Sequence, residues 1–274
     1  MKKTIISLIL ALVMALSFGF AQAETNPIVE PEEGKVTPVE SGASCDLNGD
    51  DKAEQITYEV HNDDTGATET YVKLTVGDQE LKIEGWYMDK KVYLLKVQFN
   101  TYLLVFDYGP SDDPETHFIY LDDNGKLQDA GSILANPNDM VVNRGVITGS
   151  VRGTVLYTWY HDADYMIANN IMEGGVRHVV NLPRPFYAMG LVVKARVDVP
   201  LYAQQGEGAV ALTVKAGDTA ILSGSDDKQW IYVTDKDGDN GGWLAVGGEY
   251  GIDLIVNGQT MSGSDVFDGL LFAD

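Results

Sequence analysis

An acidic loop at residues 46–54 has the residue types and spacing that point most directly to a chemical role. Its sequence, Asp-Leu-Asn-Gly-Asp-Asp-Lys-Ala-Glu, places an oxygen donor at every second position. In chain order the donors are Asp46, Asn48, Asp50, the main-chain carbonyl of Lys52, and Glu54. Ca²⁺ binds about six to eight oxygens, mostly carboxylates together with a main-chain carbonyl. The loop therefore predicts a bound calcium ion, with a solvated acidic turn as the alternative.

The loop is not an EF-hand, because its twelfth position is Thr57, where a bidentate glutamate is needed. It is similar to the calcium loops of FG-GAP (integrin-type, β-propeller) repeats, in which DxNxDxxxD precedes a strand. Asp51 stands where those loops have glycine, and Glu54 where they have aspartate. Aspartate tolerates left-handed backbone and glutamate keeps the charge. The resemblance, extended by the strand–loop–strand pattern of residues 101–131, implies a propeller-like domain; an irregular antiparallel β domain is the alternative.

A second group combines aromatic and titratable side chains. His161, Asp162 and Asp164 follow Trp159 and Tyr160. Carboxylates beside aromatic rings suit carbohydrate, so this group predicts the site of a cell-wall or glycan hydrolase as an alternative function. No pair of catalytic carboxylates at a defined separation can be inferred from one segment.

Two further residues, a histidine and a cysteine, are of types that can take part in catalysis or metal binding, but a structural interpretation is favoured for both. His117 lies near Asp112, Asp113 and Glu115 on a loop entering a strand, where a surface histidine is expected. Cys45 is the single cysteine, so the chain forms no intramolecular disulfide. Its nearest histidine, His61, lies at the far end of the following strand, so the two form no catalytic dyad.

The C-terminal third carries a recurring pattern of strands and turns. Its four elements are Val199-Pro200-Leu201-Tyr202, Lys215-Ala216-Gly217-Asp218, a strand with Trp230, Tyr232 and Val233, and Gly242-Trp243-Leu244. Over about 60 residues this pattern resembles a bacterial SH3-type (SH3b) domain. Its glycine–aspartate steps are typical of turns between strands.

The resemblance implies a small β-barrel with an aromatic groove that binds cell-wall peptides or other ligands. The ligand-binding candidates are Tyr202, Asp218, Trp230, Tyr232 and Trp243. A 60-residue barrel also needs large apolar groups for its core. For any one of Tyr202, Trp230 and Trp243 a core position is the favoured interpretation, whereas Tyr232 and Asp218 are expected at the surface.

Alternating apolar residues define the elements that must position these groups. Ile56, Tyr58 and Val60 alternate, as do Val72, Leu74 and Val76, which is typical of half-buried strands. Residues 92–97 and 102–106 are nearly continuous apolar runs, which indicate strands covered on both faces. Helical periodicity is confined to a short stretch at residues 163–170, which is equally compatible with an irregular loop. The sequence predicts an all-β chain.

The N-terminus indicates export. Lys2 and Lys3 precede an apolar run and Ala21-Gln22-Ala23, the three parts of a cleavable signal peptide. The uncharged stretch is long enough to span a bilayer, so a retained membrane anchor is the alternative. Without residues 1–23 the chain has 17 basic and 41 acidic residues, a formal charge of −24. Such a charge excludes electrostatic binding of nucleic acid or anionic lipid.

These observations predict five segments. They are a signal peptide at 1–23, an acidic Pro/Glu-rich disordered or extended linker at 24–44, a β domain at 45–188, an SH3-type barrel at 190–256 and a tail at 257–274. The leading hypothesis is a secreted or cell-surface, non-enzymatic binding protein with a cell-wall peptide or an exported protein as partner. A structural envelope protein rigidified by calcium is a further alternative.

Overall fold

The computed structural model describes residues 27–63, 65, 68–110, 113–170, 175–206, 208–248 and 250–270. The predicted signal peptide and residues 24–26 lie outside the described residues. The structure is 59% strand and 3% helix, so the all-β prediction is confirmed. Residues 163–170, the best helical stretch in the sequence, belong to a long strand.

Three antiparallel sheets follow one another along the N-terminal two thirds of the chain. The first contains β2 (Ser44–Cys45), β3 (Glu54–His61), β4 (Thr70–Val76) and β5 (Gln79–Gly85). The second contains β1 (Thr37–Val39), β6 (Met88–Val97), β7 (Asn100–Asp107), β8 (Glu115–Leu121) and β9 (Leu127–Ile133). After a 3₁₀ turn at Pro137–Asp139, the third contains β10 (Val141–Asn143), β11 (Val146–Arg152), β12 (Tyr160–Asn170) and β13 (Val176–Leu182).

The second sheet lies between the other two. One of its faces, with Leu94 and Leu103, shares a core with Ile56 and Leu74 of the first sheet. Its other face shares a separate core with the third sheet, including Ile147. Each residue from Thr101 to Asp107 in β7 is buried. Coverage on both faces explains why residues 92–97 and 102–106 are continuous apolar runs rather than alternating ones.

The segment predicted as a linker joins this assembly. Within its described part, Thr37–Val39 forms β1 and pairs with β6, and the Val39 side chain is buried in the first core. Glu33 also accepts a hydrogen bond from the main-chain N–H of Gln98, at 2.6 Å. The extended conformation agrees with the sequence, but from Thr37 onward the chain is held on the central sheet.

The C-terminal third forms one nine-stranded antiparallel sheet. Its strands are β14 (Tyr187–Ala195), β15 (Val199–Tyr202), β16 (Val210–Val214), β17 (Thr219–Ser225), β18 (Trp230–Asp235), β19 (Gly241–Gly247), β20 (Asp253–Val256), β21 (Gln259–Ser262) and β22 (Phe267–Asp268). A one-turn helix, α1 (Gly263–Val266), precedes the last strand.

This sheet bends around a single core, because side chains from β14 to β22 belong to one buried cluster. Among the described residues no sheet closes into a barrel, so a closed barrel at 190–256 is not found. The described part of the predicted tail packs back on the sheet. Phe267 is buried and pairs with Ala195 of β14.

The two parts of the molecule meet at the loop between β11 and β12. Val155 and Leu156 of this loop are buried in the C-terminal core. Thr154 donates its main-chain N–H to Asp227 in the β17–β18 turn, at 2.7 Å. Within the described part of the chain, no helix has the length and apolar character needed to cross a membrane.

Candidate functional site

The C-terminal sheet presents Trp230, Tyr232 and Trp243 on the face opposite its core. Along β18 the buried residues are Ile231 and Val233, and the half-buried ones are Trp230 and Tyr232. A strand directs successive side chains to opposite faces, so this alternation separates the two pairs. Trp243 of β19 lies opposite Tyr232 and is also half-buried. On its other side Trp243 lies opposite Tyr202 of β15.

The aromatic rings contact one another in edge-to-face geometry. The ring centroids of Tyr232 and Trp243 lie 5.2 Å apart with an interplanar angle of 65°. Phe186, just before β14, lies 6.1 Å from Trp243 at 85°. Both separations fall in the range favoured by the quadrupoles of aromatic rings. The Phe186 ring also covers Gly224, where an added Cβ would lie 2.2 Å from Phe186 Cζ.

A concave groove begins at the edge of this aromatic face. It has a volume of about 630 Å³. Its wall includes Tyr202, Trp230, Ala245, Val246 and Ile255, with glycines at its rim. This volume lies within the range of small-molecule and peptide-side-chain pockets, which are mostly apolar with few polar groups. The arrangement is chemically suited to bind an apolar or aromatic group against Trp230.

Burial corrects the interpretation of the aromatic residues as core. Tyr202, Trp230 and Trp243 are each half-buried, and the C-terminal core is aliphatic except for Phe267. Tyr232 is half-buried and Asp218 exposed, as expected. Asp218 lies in the turn before β17, where its main-chain carbonyl accepts from the N–H of Ala195 at 2.9 Å, and it does not line the groove.

Sequence reasoning missed Phe186 and Ile255. Phe186 contacts the aromatic face from the residue just before β14, and Ile255 lines the groove from β20; both lie outside the motif. No local signal in the sequence marks either of them.

The acidic loop is held by its own carboxylates. Asp46 Oδ1 accepts the main-chain N–H of Gly49 at 2.7 Å, and Asp46 Oδ2 accepts that of Asp51 at 3.0 Å. Asp51 has a positive φ of 64°, so its backbone is left-handed. Glycine adopts this conformation most easily, and glycine is the residue of the FG-GAP pattern at this position. Glu54 reaches back across the loop and accepts the N–H of Leu47 at 2.9 Å.

The side chains of Asn48 and Asp50 also accept hydrogen bonds within the loop. Asn48 Oδ1 accepts the N–H of Asp50 at 3.0 Å. A side-chain hydrogen bond from Lys52 holds the pKa of the Asp50 carboxyl below its usual value. The chemistry of this donor set fits Ca²⁺. However, no three acidic, histidine or cysteine side chains converge as a metal-binding group anywhere in the described residues.

The His161, Asp162 and Asp164 group does not converge. On β12 His161 points to one face of the sheet, whereas Asp162 and Asp164 point to the other. Asp164 is engaged by Arg184, whose Nε and Nη2 each lie 2.8 Å from its carboxylate. This bidentate pair holds the pKa of Asp164 below its usual value, with Thr148 contributing a further hydrogen bond. His161, Asp162 and Asp164 therefore do not form the single site that the hydrolase hypothesis requires.

His161 instead pairs with a residue that the sequence did not indicate. Its Nε2 lies 3.2 Å from Asp227 Oδ2, and both side chains are largely buried. The ring packs between Trp159 at 5.0 Å and Tyr187 at 4.0 Å, centroid to centroid. Because the partners are 66 residues apart, no spacing rule could have found the pair. Its contacts join the third sheet to the C-terminal sheet.

His117 and Cys45 are both more enclosed than the sequence alone specifies. His117 lies on β8 and is half-buried, with Nδ1 3.1 Å from Asp129 Oδ2. Burial opposes the charged imidazolium, but Asp129 and then Glu115 outweigh it, so the pKa of His117 is raised. Burial, with the nearby acids Asp46 and Glu54, raises the pKa of the Cys45 thiol to about 12. A thiol with that pKa is a poor nucleophile.

Comparison with known proteins adds no relative: no family model, no curated protein and no solved structure matches the chain significantly.

Proposed function

We propose that the protein is an exported, non-enzymatic binding protein whose C-terminal region recognises a cell-wall peptide through its aromatic groove. The observation that carries the proposal is the outward placement of Tyr202, Trp230 and Trp243. Large aromatic side chains that leave the core of a small β region and gather beside a groove are typical of binding surfaces. The SH3b-like pattern and the signal-like N-terminus support the ligand class and the location.

The rigidity of the site supports binding rather than chance exposure. Trp230 and Trp243 lie on paired strands, so the sheet fixes their main chains before any ligand arrives. Trp230 is further positioned by Asp226, whose Oδ1 accepts its N–H at 2.9 Å. Preorganised aromatic groups lose little conformational entropy on binding.

The acidic loop contributes a second element of this proposal. Oxygen donors at alternate positions in an exported, strongly acidic chain favour calcium as a stabilising ion. Asp46, Asn48, Asp50, Glu54 and the Lys52 carbonyl would hold it, after exchanging their present main-chain contacts for the cation.

A peptide-binding experiment tests the proposal most directly. The mature protein is mixed with purified peptidoglycan, in calcium and in chelator, and retention is measured; soluble stem peptides freed of glycan are then titrated. We expect retention and peptide binding, with an affinity loss of about tenfold or more in Trp230→Ala, the scale of a buried aromatic contact. Tyr250→Ala, which removes an exposed aromatic group outside the groove, is the matched control.

If the protein is not retained on peptidoglycan and binds no stem peptide, with or without calcium, the cell-wall version of the proposal is contradicted. Binding of an exported protein that depends on Trp230 would point to the other partner class. The structural alternative, in which calcium only rigidifies the molecule, is favoured if calcium raises stability while Trp230→Ala changes no interaction.

A further inference from the structure

A second group of exposed aromatic residues lies in the N-terminal part of the molecule. Trp86 and Tyr87 connect β5 to β6, and Tyr108 follows β7. Their exposed fractions are 67%, 41% and 46%. The rings of Tyr87 and Tyr108 lie 6.0 Å apart. We call these three residues the aromatic platform.

A buried carboxylate clamps the main chain of the platform. Asp107, only 6% exposed, accepts the N–H of Trp86 and that of Tyr87, each at 2.7 Å. It also accepts the N–H of Gly109 at 3.0 Å. Three hydrogen bonds to one buried charge fix both segments relative to each other. Tyr108 completes the link by donating its N–H to the carbonyl of Tyr87 at 2.9 Å.

Two further contacts leave the connection no freedom to collapse. Asn62 exchanges two hydrogen bonds with the main chain of Met88, each at 2.8 Å. Gly85 has no room for a side chain, because an added Cβ would lie 2.4 Å from Asp107 Oδ2. Trp86 is therefore 67% exposed on a main chain whose position is fixed by hydrogen bonds, which preorganises it for contact with a ligand.

A cavity of about 600 Å³ lies beside the platform. Trp86 and Tyr87 form its apolar side, and Thr70, Glu69 and Glu84 are among the polar groups facing them. Lys82 lies between the two glutamates, within hydrogen-bonding distance of Glu69 Oε2 and 2.9 Å from Glu84 Oε1. In the described contacts the second oxygen of each glutamate carries no hydrogen bond.

We propose that this cavity and the aromatic platform bind an uncharged carbohydrate. A sugar ring has an apolar C–H face, which packs on an aromatic ring, and a rim of hydroxyl groups, which donate to carboxylate oxygens and accept from hydroxyl and ammonium groups. The cavity offers the aromatic rings of Trp86 and Tyr87 together with the carboxylates of Glu69 and Glu84 and the hydroxyl of Thr70. Lys82 lies just outside the lining, where it contacts both glutamates. Its volume suits one or two sugar rings.

Charge narrows the class of carbohydrate. The chain carries a formal net charge of −22, and the cavity is lined by acids, so a uronic acid or phosphate-bearing polymer would be repelled. An organic cation is less well matched than a neutral sugar, because Lys82 already pairs with both glutamates. The site is separate from the C-terminal groove and requires no part of the proposed peptide recognition.

Titration of the full mature chain with two neutral tetrasaccharides, cellotetraose and tetra-N-acetylchitotetraose, tests this proposal. Calorimetry and tryptophan fluorescence should show saturable binding to at least one of them. Trp86→Ala should weaken it about tenfold or more, and Trp86→Phe, which keeps a smaller ring, by about threefold. Trp86→Ala keeps the N–H that Asp107 accepts, so the clamp survives. Phe99→Ala removes a still more exposed ring elsewhere, 92% against 67%, and should change nothing.

Three results would overturn the site. One is the absence of binding to both tetrasaccharides; another is an equal affinity in Trp86→Ala and the unaltered chain. The third is binding of choline or of an oligogalacturonide in place of the neutral sugars. Because the tetrasaccharides contain no peptide, Trp230→Ala should leave their affinity unchanged, which separates failure here from failure of the proposed peptide groove.

Discussion

The two parts of the molecule place the aromatic residues of their strands differently. In the N-terminal sheets Tyr102, Phe106 and Phe118 are among the most deeply buried side chains. In the C-terminal sheet the core is aliphatic except for Phe267, and Trp230, Tyr232 and Trp243 lie on the outer face of the sheet. The central N-terminal sheet is covered on both faces, and the aromatic residues of β6, β7 and β8 are all buried. The C-terminal sheet has one covered face, so strand alternation decides which residues reach it.

This contrast teaches that size and hydrophobicity do not by themselves identify a core residue. A tryptophan can contribute less to stability than a smaller phenylalanine when its face of the sheet is open. The same openness is what makes the tryptophan accessible to a ligand.

Replacing one aromatic residue in each part with alanine tests this contrast, and it should produce the largest change in unfolding free energy of the experiments that we propose. Phe118→Ala should lower the free energy of unfolding by about 3–5 kcal/mol, since it leaves a cavity beside Tyr102 in a closed core. Trp243→Ala should lower it by only about 1–2 kcal/mol, because its ring is already partly solvated. Urea unfolding followed by circular dichroism and fluorescence measures both. Equal losses, or a larger loss for Trp243→Ala, would break the comparison.

Calcium should affect only the N-terminal part. If the acidic loop binds Ca²⁺, a tenfold excess over Kd stabilises the folded protein by about 1.4 kcal/mol relative to chelator. Asp46→Ala combined with Asp50→Ala should abolish that difference. The matched control, Asp237→Ala with Asp239→Ala, removes the same charge from an exposed turn of the C-terminal sheet and should preserve it. The calcium-dependent shift in melting temperature is the measurement; an identical shift in both double variants would refute the loop assignment.

Stability near neutral pH should also depend on the N-terminal part, because all four histidines precede residue 183. The pKa of His117 is raised in the folded state by Asp129 and Glu115 against the opposing effect of burial. Its contribution is therefore fully present below the unfolded pKa of about 6.5 and is lost as the pH rises through the higher folded pKa.

His117→Gln should remove this dependence, which we expect to be on the order of 1 kcal/mol, the scale of a charge-assisted hydrogen bond. Urea unfolding at several pH values between about 5 and 8 measures it. His178→Gln, at an exposed position of β13, is the control. If wild type and His117→Gln lose stability in parallel as the pH rises, His117 is not the group responsible.

The sequence determined the strand class and much of the pattern. Residues 72–76 alternate because one face of β4 is covered, and residues 102–106 are continuously apolar because both faces of β7 are covered. The motif around Trp230 and Trp243 also selected the residues of the aromatic face. Hydrophobic periodicity is a local property, so it can be read without knowing the partner strands.

Tertiary structure decided which face of each strand packs against a core and which side chains far apart in the sequence contact each other. Only the bend of the C-terminal sheet placed Ile231 inside and Trp230 outside, reversing the interpretation favoured by size. Likewise, only the pairing of β6 with β7 brought Asp107 beside Trp86, and only the contact between the third and C-terminal sheets brought Asp227 to His161. These partners are separated by 21 and 66 residues, and contacts of that kind depend on how sheets stack. Local periodicity cannot specify stacking, because it records the presence of a covered face but not the residues that cover it.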